Sequence, residues 1–216
     1  MARRSAKTRS LRDACIDEAL AIIEKQGVEA LSLREVARRL GVSHQAPYKH
    51  FPSRDHILAE LVARAFAAFA AHLDARPPND DPRADLAALG RAYLDYASHH
   101  PLQYRLMFGT PLPNPGAHPD MMRNARHAFA VLQAVLGRRP SVPGKGASYD
   151  EVNLDALFVW SAVHGIASMM QTNAISTLGL SREVLAASPL HSMSRIRAAL
   201  EGEPAAMRKP RRGRSP

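Results

Sequence analysis

The sequence predicts an all-helical protein, with a small head of three helices joined to a larger helical body. Apolar residues recur every three or four positions in one segment after another, which is the spacing of one face of an α-helix. Residues that favour helix starts, such as Ser32, Ser53 and Asp81, stand before several of these segments. The Pro- and Asp-rich segment 76–82 interrupts the pattern. The predicted units are a head with a basic arm at residues 1–55, a body at 56–201 and a disordered basic tail at 202–216.

The head should begin with a helix that starts near Ser10 and ends at Gln26, just before Gly27. Its apolar stripe would cover the next two helices. Cys15 lies on that stripe, so a small buried side chain is favoured over a redox sensor. As the single cysteine of the chain, it excludes an internal disulfide and suits a reducing cytoplasm.

Residues 32–51, SLREVARRLGVSHQAPYKHF, predict two short helices joined by a glycine turn. The first carries apolar residues at i, i+3, i+4 and i+7, and Ser32 with Glu35 can form a reciprocal capping box. Gly41 should end this helix in a left-handed conformation. Ser43 should then cap a second helix that continues to His50.

The second helix presents amide, imidazole, phenol and ammonium groups on its outer side. An ordinary solvated face is the alternative, but a helix-turn-helix with such a second member matches what the DNA major groove requires. Pro47 removes one backbone donor, yet the bond it loses is only the first of the helix, to the carbonyl of Ser43. The sequence therefore predicts a DNA-binding head.

These residues resemble the TetR (tetracycline-repressor) family of one-component regulators. The resemblance rests on LSLREVARRLGV, on SHQAPYKHF and on the capped helix that starts at SRDHIL. Further along, Trp160, His164 and Gly165 are similar to the Trp-His-Gly signature of one type of TetR C-terminal domain. The resemblance implies a homodimer that binds a double-stranded DNA operator and releases it when a small-molecule effector enters the body.

The resemblance also implies which side chains contact DNA. Arg34, His44 and Gln45 would face base edges, where Arg can pair with guanine and Gln with adenine. The residues expected at phosphates are Ser43, Tyr48, Lys49, His50 and Arg54. For Tyr48 and His50, packing against the first motif helix is the alternative.

The body should begin with a long helix from Ser53 to about Ala75 that leaves the head. Further helices are expected from Pro82 to His100, over 102–108, and up to Gly137. A long helix from about 150 to 177 is apolar on more than one side, which predicts its own core on one side and a partner subunit on the other. A last helix should start at Ser181 and restart at Ser188 and Pro189.

Aromatic and methionine residues of the body could line an apolar ligand cavity, although ordinary core packing is the alternative. Trp160 and His164 are one turn apart, so they can contact a ligand together or simply pack, with Gly165 admitting a close helix. The candidate ligand-binding residues are Tyr93, Tyr96, Tyr104, Met107, Phe108, Met122, Phe129, Phe158, Trp160 and His164.

The charge balance agrees with a polyanionic partner, since 29 Lys and Arg against 20 Asp and Glu give a net charge of +9. The ten histidines lack metal-ligand spacing, and no catalytic or phosphate-loop pattern is recognised, so neither a metal, a cofactor nor an enzyme is predicted. With no apolar run judged long enough for a membrane and no signal peptide, a cytoplasmic protein without a membrane partner is expected.

The sequence as a whole predicts a ligand-responsive DNA-binding regulator that represses transcription. The alternative is a constitutive or architectural DNA-binding protein that has no small-molecule ligand, which its basic ends would also suit.

Overall fold

The computed structural model describes residues 10–139 and 149–201. Its α-helices are α1 (Leu11–Gln26), α2 (Leu33–Leu40), α3 (Arg54–Asp74), α4 (Pro82–His99), α5 (Pro101–Phe108), α6 (Arg123–Gly137), α7 (Tyr149–Met170) and α8 (Arg182–Glu201). Short 3-10 turns occupy Val28–Ala30, Pro47–Lys49 and Asn173–Leu178. The basic arm before Ser10, most of the 137–148 linker and the 202–216 tail lie outside the described residues.

The first helices begin and end where the sequence predicts. Ser10 caps α1 by accepting from the N–H of Asp13 at 3.1 Å, and Ser53 caps α3 by accepting from His56. Cys15 is completely buried on the α1 stripe, and burial raises the pKa of its thiol. Cys15 is therefore part of the head's core, as expected of a small apolar side chain.

Only half of the predicted capping box forms at α2. The hydroxyl of Ser32 accepts from the N–H of Glu35 at 3.1 Å, but the Glu35 carboxylate turns to the guanidinium groups of Arg38 and Arg39 at 2.7 to 2.8 Å. Hydrogen bonds from these two arginines lower the pKa of Glu35 to about 2. Charge-assisted pairs one turn away compete successfully with a single backbone N–H. Gly41 ends α2 in the left-handed region, at φ 66°, as predicted.

The second motif helix, expected to be an α-helix from His44 to His50, is instead a turn followed by a 3-10 turn at Pro47–Lys49. The cause is Pro47, which has no N–H to give to the carbonyl of Ser43. Ala46 donates to that carbonyl instead, at 2.9 Å, and the tighter i to i+3 spacing continues to His50. Pro47 is itself buried, so it anchors residues 43–50, the recognition segment, to the head.

Helix α3 belongs to both the head and the body. At its start, the guanidinium of Arg54 donates to the backbone carbonyls of Leu31 at 3.0 Å and Val28 at 2.7 Å. Further along α3, ion pairs join it to α1, where Arg64 pairs with Asp13 and Glu60 pairs with Arg12. The head is therefore fastened to the same helix whose later turns pack inside the body.

A buried ion cluster fixes the start of the body. Asp85 on α4 is 3% exposed and accepts from Arg76 at 2.8 Å and from Arg138 at the end of α6. Arg138 also donates to the carbonyl of Asn79. The 76–82 interruption is thus held against α4 and α6 by charge-assisted bonds. As predicted, Asp81 caps α4 and Pro82 takes its first position.

The last two long helices differ from their predicted bounds. Helix α7 ends at Met170 rather than near 177, because the backbone of Thr172 is extended and its hydroxyl donates to the carbonyl of Met169. Helix α8 is continuous through Pro189, where a restart was expected. The Ser188 hydroxyl donates to the carbonyl of Leu185, which supplies the hydrogen bond that Pro189 cannot make.

One face of α7 is left uncovered in the single chain. Its core side includes Val159 and Val163, each 3% exposed, whereas Leu154, Leu157 and Phe158 on the opposite side are 45 to 50% exposed. Leu190 on the neighbouring α8 is 74% exposed. The predicted second apolar side of α7 therefore exists and has no cover among the described residues.

The expectation that no apolar run reaches the length of a membrane span is wrong for two helices. Both α3 and α7 have that length and composition, with mean hydropathies of 1.3 and 1.2. The α3 segment is mostly buried in the core, as in many soluble proteins, and the α7 segment owes its exposure to the uncovered face.

The glycine that admits a close neighbouring helix is not the predicted one. Gly165 on α7 has no atom within 4 Å of the place a Cβ would take, so it admits no close helix among the described residues of this chain. Gly90 on α4 is the glycine that admits a close neighbouring helix, because the Cε of Met193 on α8 lies very close to the place that a Cβ at position 90 would take. A side chain at position 90 would have to displace that methionine.

Candidate DNA-binding surface and ligand cavity

The recognition segment presents its polar side chains to solvent. Ser43, His44, Gln45, Lys49 and His50 are all exposed, and the His44 and Gln45 side chains form a hydrogen bond of 3.2 Å with each other. Underneath, the buried Pro47 and Phe51 attach the segment to α1 and α2. The structure thus separates an apolar inner side from a polar outer side that is free to meet another molecule.

Arg34 on α2 is exposed as well, as its predicted contact with a base requires. Tyr48 is 40% exposed and His50 is exposed, so both side chains reach the solvent. The contacts of all these side chains to bases or phosphates stay predictions.

Arg54 lies in a different setting from the one expected of a phosphate contact. Two of its N–H groups are used inside the head, by the carbonyls of Val28 and Leu31. Its remaining nitrogen lies 3.7 Å from the Asp55 carboxylate. The side chain is still 40% exposed, but its geometry shows a structural role that the sequence does not reveal.

The body contains an apolar, partly open cavity of about 210 Å³ that is lined mainly by residues of α3, α4, α5, α6 and α7. Phe66, Phe69 and Leu73 of α3 form one wall, and Val159, Trp160 and Val163 of α7 contribute another. Such concave, mostly apolar sites are typical of small-molecule binding. The volume is below the usual range of drug-sized ligand sites.

Six of the ten predicted ligand residues line this cavity, namely Tyr93, Met107, Phe108, Met122, Phe129 and Trp160. Phe158 does not, because two residues correspond to about 160° around a helix and place it opposite Trp160, on the uncovered face. Tyr96 turns its hydroxyl to the carbonyl of Ala65 at 3.3 Å. Tyr104 and His164 lie behind the wall, in hydrogen-bond contact with Tyr93.

The three α3 residues of the cavity wall were not among the predicted ligand residues. Their spacing gave a signal, since Phe66, Phe69 and Leu73 continue the apolar stripe of α3 well past the end of the head. A stripe that leaves the head must pack on something in the body, and these three side chains form the cavity wall. Helix α3 therefore connects the cavity directly with the DNA-binding head.

A partly buried polar network lies beside the cavity. His164 Nδ1 is 2.7 Å from the hydroxyl of Tyr104 and 3.0 Å from that of Tyr93. Ser168, which the sequence did not single out, is 3.3 Å from both His164 Nε2 and the Tyr104 hydroxyl. The rings also pack together, with Tyr104 stacked on His164.

Burial sets the protonation state of this network. It lowers the pKa of His164 and raises the pKa values of Tyr93 and Tyr104, because each charged form loses its hydration. All three groups are therefore neutral near pH 7. The indole N–H of Trp160 is close enough to hydrogen-bond to the Tyr93 hydroxyl, and this contact lowers the pKa of Tyr93, against the larger effect of burial.

Comparison with known proteins identifies the family. Residues 16–61 match the family described as bacterial regulatory proteins of the tetR family, and residues 86–193 match the tetracyclin repressor-like C-terminal domain. The second match covers half of the chain. The chain belongs to the TetR family, whose members are transcriptional regulators. Whether its body is of the Trp-His-Gly type stays a prediction.

Named relatives support the same assignment. The HTH-type transcriptional regulator Rv1816 of Mycobacterium tuberculosis is 35% identical over 113 residues, which are 50% of this chain and 47% of the relative. The regulator TcmR of Streptomyces glaucescens is 30% identical over 143 residues, which are 66% and 59% of the two chains. The chain thus spans about half the length of the first curated relatives that it matches.

Solved structures share the architecture. A protein of unknown function from Rhodococcus sp. RHA1 is 27% identical, has a TM-score of 0.66 and is matched over 89% of this chain and 98% of that one. The TetR-family regulator PfmR of Thermus thermophilus is 21% identical with a TM-score of 0.59, over 88% and 99% of the chains. The all-helical fold with its N-terminal helix-turn-helix is therefore that of TetR-like proteins.

Proposed function

We propose that this protein is a cytoplasmic transcriptional repressor that leaves its operator when a small apolar molecule occupies the body cavity. The observation that carries the proposal is the course of α3. This one helix is fastened to the head through Arg54 and lines the cavity through Phe66, Phe69 and Leu73.

DNA binding is assigned to the outer side of the recognition segment and to Arg34. The exposed groups there are suited to the major groove, with Arg34, His44 and Gln45 at bases and Ser43, Tyr48, Lys49 and His50 at phosphates. These side chains are all exposed, and their apolar neighbours Pro47 and Phe51 are buried.

Effector action follows from packing. A molecule that enters the cavity pushes on the α3 side chains, and interiors packed at crystal-like density transmit such displacement rather than absorb it. The Arg54 bonds and the Arg12 and Arg64 ion pairs then carry the movement to the head. Release requires only that the effector bind the moved form more tightly than the DNA-bound form.

Two heads are needed to contact two half-sites of an operator. The uncovered face of α7, with Leu154, Leu157 and Phe158, is the surface that we assign to a second copy of the chain. The exposed Ser161 and the half-buried Gly165 in the same stripe are small enough to allow a partner helix to approach. A symmetric dimer would bury this apolar area on both subunits.

The test is a selection of double-stranded DNA bound by the full chain, followed by screening of small molecules against the resulting complex. The proposal expects a defined two-fold sequence and at least one uncharged compound that both lowers operator affinity and raises the melting temperature. A protein that binds DNA equally well with every compound, and is stabilised by none, would instead be the constitutive or architectural DNA-binding protein.

A further inference from the structure

The hydroxyl of Tyr93 takes part in two arrangements at once. The side chain lines the cavity, and its oxygen also touches the partly buried network of His164 and Tyr104. Tyr93 is 8% exposed, so water contributes little to its hydrogen bonding. Its bonding capacity must therefore be accounted for within the protein or by a bound molecule.

Two phenols compete for one nitrogen of His164. In a neutral imidazole, Nδ1 makes a single hydrogen bond, through its lone pair in one tautomer or through its hydrogen in the other. The Tyr104 hydroxyl lies at 2.7 Å and that of Tyr93 at 3.0 Å, so the shorter contact takes the bond. This conclusion holds for either tautomer. The Trp160 indole N–H can only donate to Tyr93, so the O–H of Tyr93 is left with the Tyr104 oxygen as its acceptor, at the long distance of 3.4 Å.

The cavity gives a bound molecule no counter-charge. Its walls, among the residues that the structure describes, consist of aliphatic, thioether and aromatic side chains, and only Tyr93 and Trp160 among them carry a side-chain oxygen or nitrogen. Transfer of an ion into such a site costs far more than transfer of a neutral polar group. An ionised effector is therefore disfavoured.

We propose that Tyr93 selects the effector by donating its O–H to it, so that the ligand is an uncharged, compact, mostly apolar molecule carrying a hydrogen-bond-accepting oxygen, such as a ketone or lactone. This inference rests on the proposed role of the cavity as the effector site. A hydrocarbon of the same shape would fill the cavity but leave the Tyr93 hydrogen poorly bonded, which costs affinity.

Matched probes test the inference directly. 1-Tetralone and tetralin share one bicyclic skeleton and differ at a carbonyl, and both are compact enough to suit a cavity of about 210 Å³. Trp160 is the single tryptophan of the chain and lines that cavity, so its fluorescence reports occupancy in the full-length protein. A hydrogen bond of ordinary strength, about 1 kcal/mol net, makes 1-tetralone bind roughly fivefold more tightly than tetralin.

Tyr93→Phe removes the hydroxyl and keeps the ring. In this variant the preference for 1-tetralone should disappear, while tetralin binding stays unchanged and shows that the cavity is intact. Tyr96→Phe is the matched control, because the Tyr96 hydroxyl donates to the carbonyl of Ala65 away from the cavity. The Tyr96 variant should keep the preference.

Equal binding of the two probes to the natural protein, or a preference that survives in Tyr93→Phe, would overturn the inference while leaving an apolar cavity in place. Binding of neither probe would overturn it together with the effector-site assignment. Operator affinity is measured separately with each probe. Binding of 1-tetralone through Tyr93 without DNA release would support the inference and count against the proposed release mechanism.

Discussion

Filling the cavity permanently should imitate part of what an effector does and exclude the effector itself. Ala128 on α6 lies in the cavity wall, and Ala128→Leu extends three additional carbon atoms towards the empty space. The same change at Ala130 on the same helix, where the side chain is exposed, is the matched control. The pair separates cavity filling from the effect of leucine on the helix.

The expected change in the free energy of unfolding of Ala128→Leu follows from the burial of apolar groups. At about 0.8 kcal/mol for each added carbon, complete burial would stabilise the fold by roughly 2.4 kcal/mol. The whole 210 Å³ cavity, at about 24 cal/mol per Å³, sets an upper limit of about 5 kcal/mol. Imperfect fit of the new side chain costs about 1 kcal/mol or more. The expected net gain is therefore about 1 kcal/mol, or roughly 2 to 4 °C in melting temperature.

The assay is thermal unfolding of each variant at one protein concentration, with and without 1-tetralone, beside operator binding. Ala128→Leu should melt higher than the natural protein and lose the shift that the ketone produces, while Ala130→Leu should keep that shift. If the Ala128 variant melts lower, or binds 1-tetralone with natural affinity, the space is not a fillable cavity and the reasoning fails.

Three further predictions concern the head and the dimer. Gln45→Ala should change which operator bases are preferred, whereas Lys49→Ala should weaken binding to all DNA sequences together and reduce its salt dependence. Selection of bound DNA at two salt concentrations measures both effects. An unchanged base preference in the Gln45 variant contradicts the assignment of Gln45 to a base. Arg54→Lys keeps the positive charge but loses the paired hydrogen bonds to two head carbonyls. The free energy of unfolding should therefore fall by about 1 kcal/mol while operator affinity stays unchanged. Unchanged stability with weakened DNA binding would instead support a phosphate contact for Arg54. Leu157→Lys should place a charge in the proposed dimer contact and give monomers by analytical ultracentrifugation, and an intact dimer would move the interface elsewhere.

The head could be predicted almost completely because its signals are local. Ser10, Ser32 and Ser53 each cap the helix that follows them, and Gly41 takes the left-handed conformation that ends α2. Pro47 is one exception, because the sequence locates the lost hydrogen bond at the carbonyl of Ser43 but does not show that the whole segment then takes the tighter spacing. A missing donor in so short a segment left no room for α-helical spacing to recover.

The body was predictable as a set of helices but less so as a site. The aromatic residues gave a candidate list, yet nothing in their spacing showed that Tyr93 would line the cavity while Tyr104 and Tyr96 would not. Such distinctions depend on which helix faces which. That arrangement is made by contacts between residues far apart in the chain, as Tyr93 and His164 illustrate.

The sequence by itself determined the family, the helix starts and the polar outer side of the recognition segment, because caps, turns and amphipathic spacing act within a few residues. Only the tertiary structure decided that Arg54 serves the head's own carbonyls, that α3 carries the cavity wall, and that the Tyr93 hydroxyl lies between an apolar space and a histidine that Tyr104 already engages. These properties arise from packing between distant segments, and a hydrogen bond or a cavity wall exists only once both sides are in place.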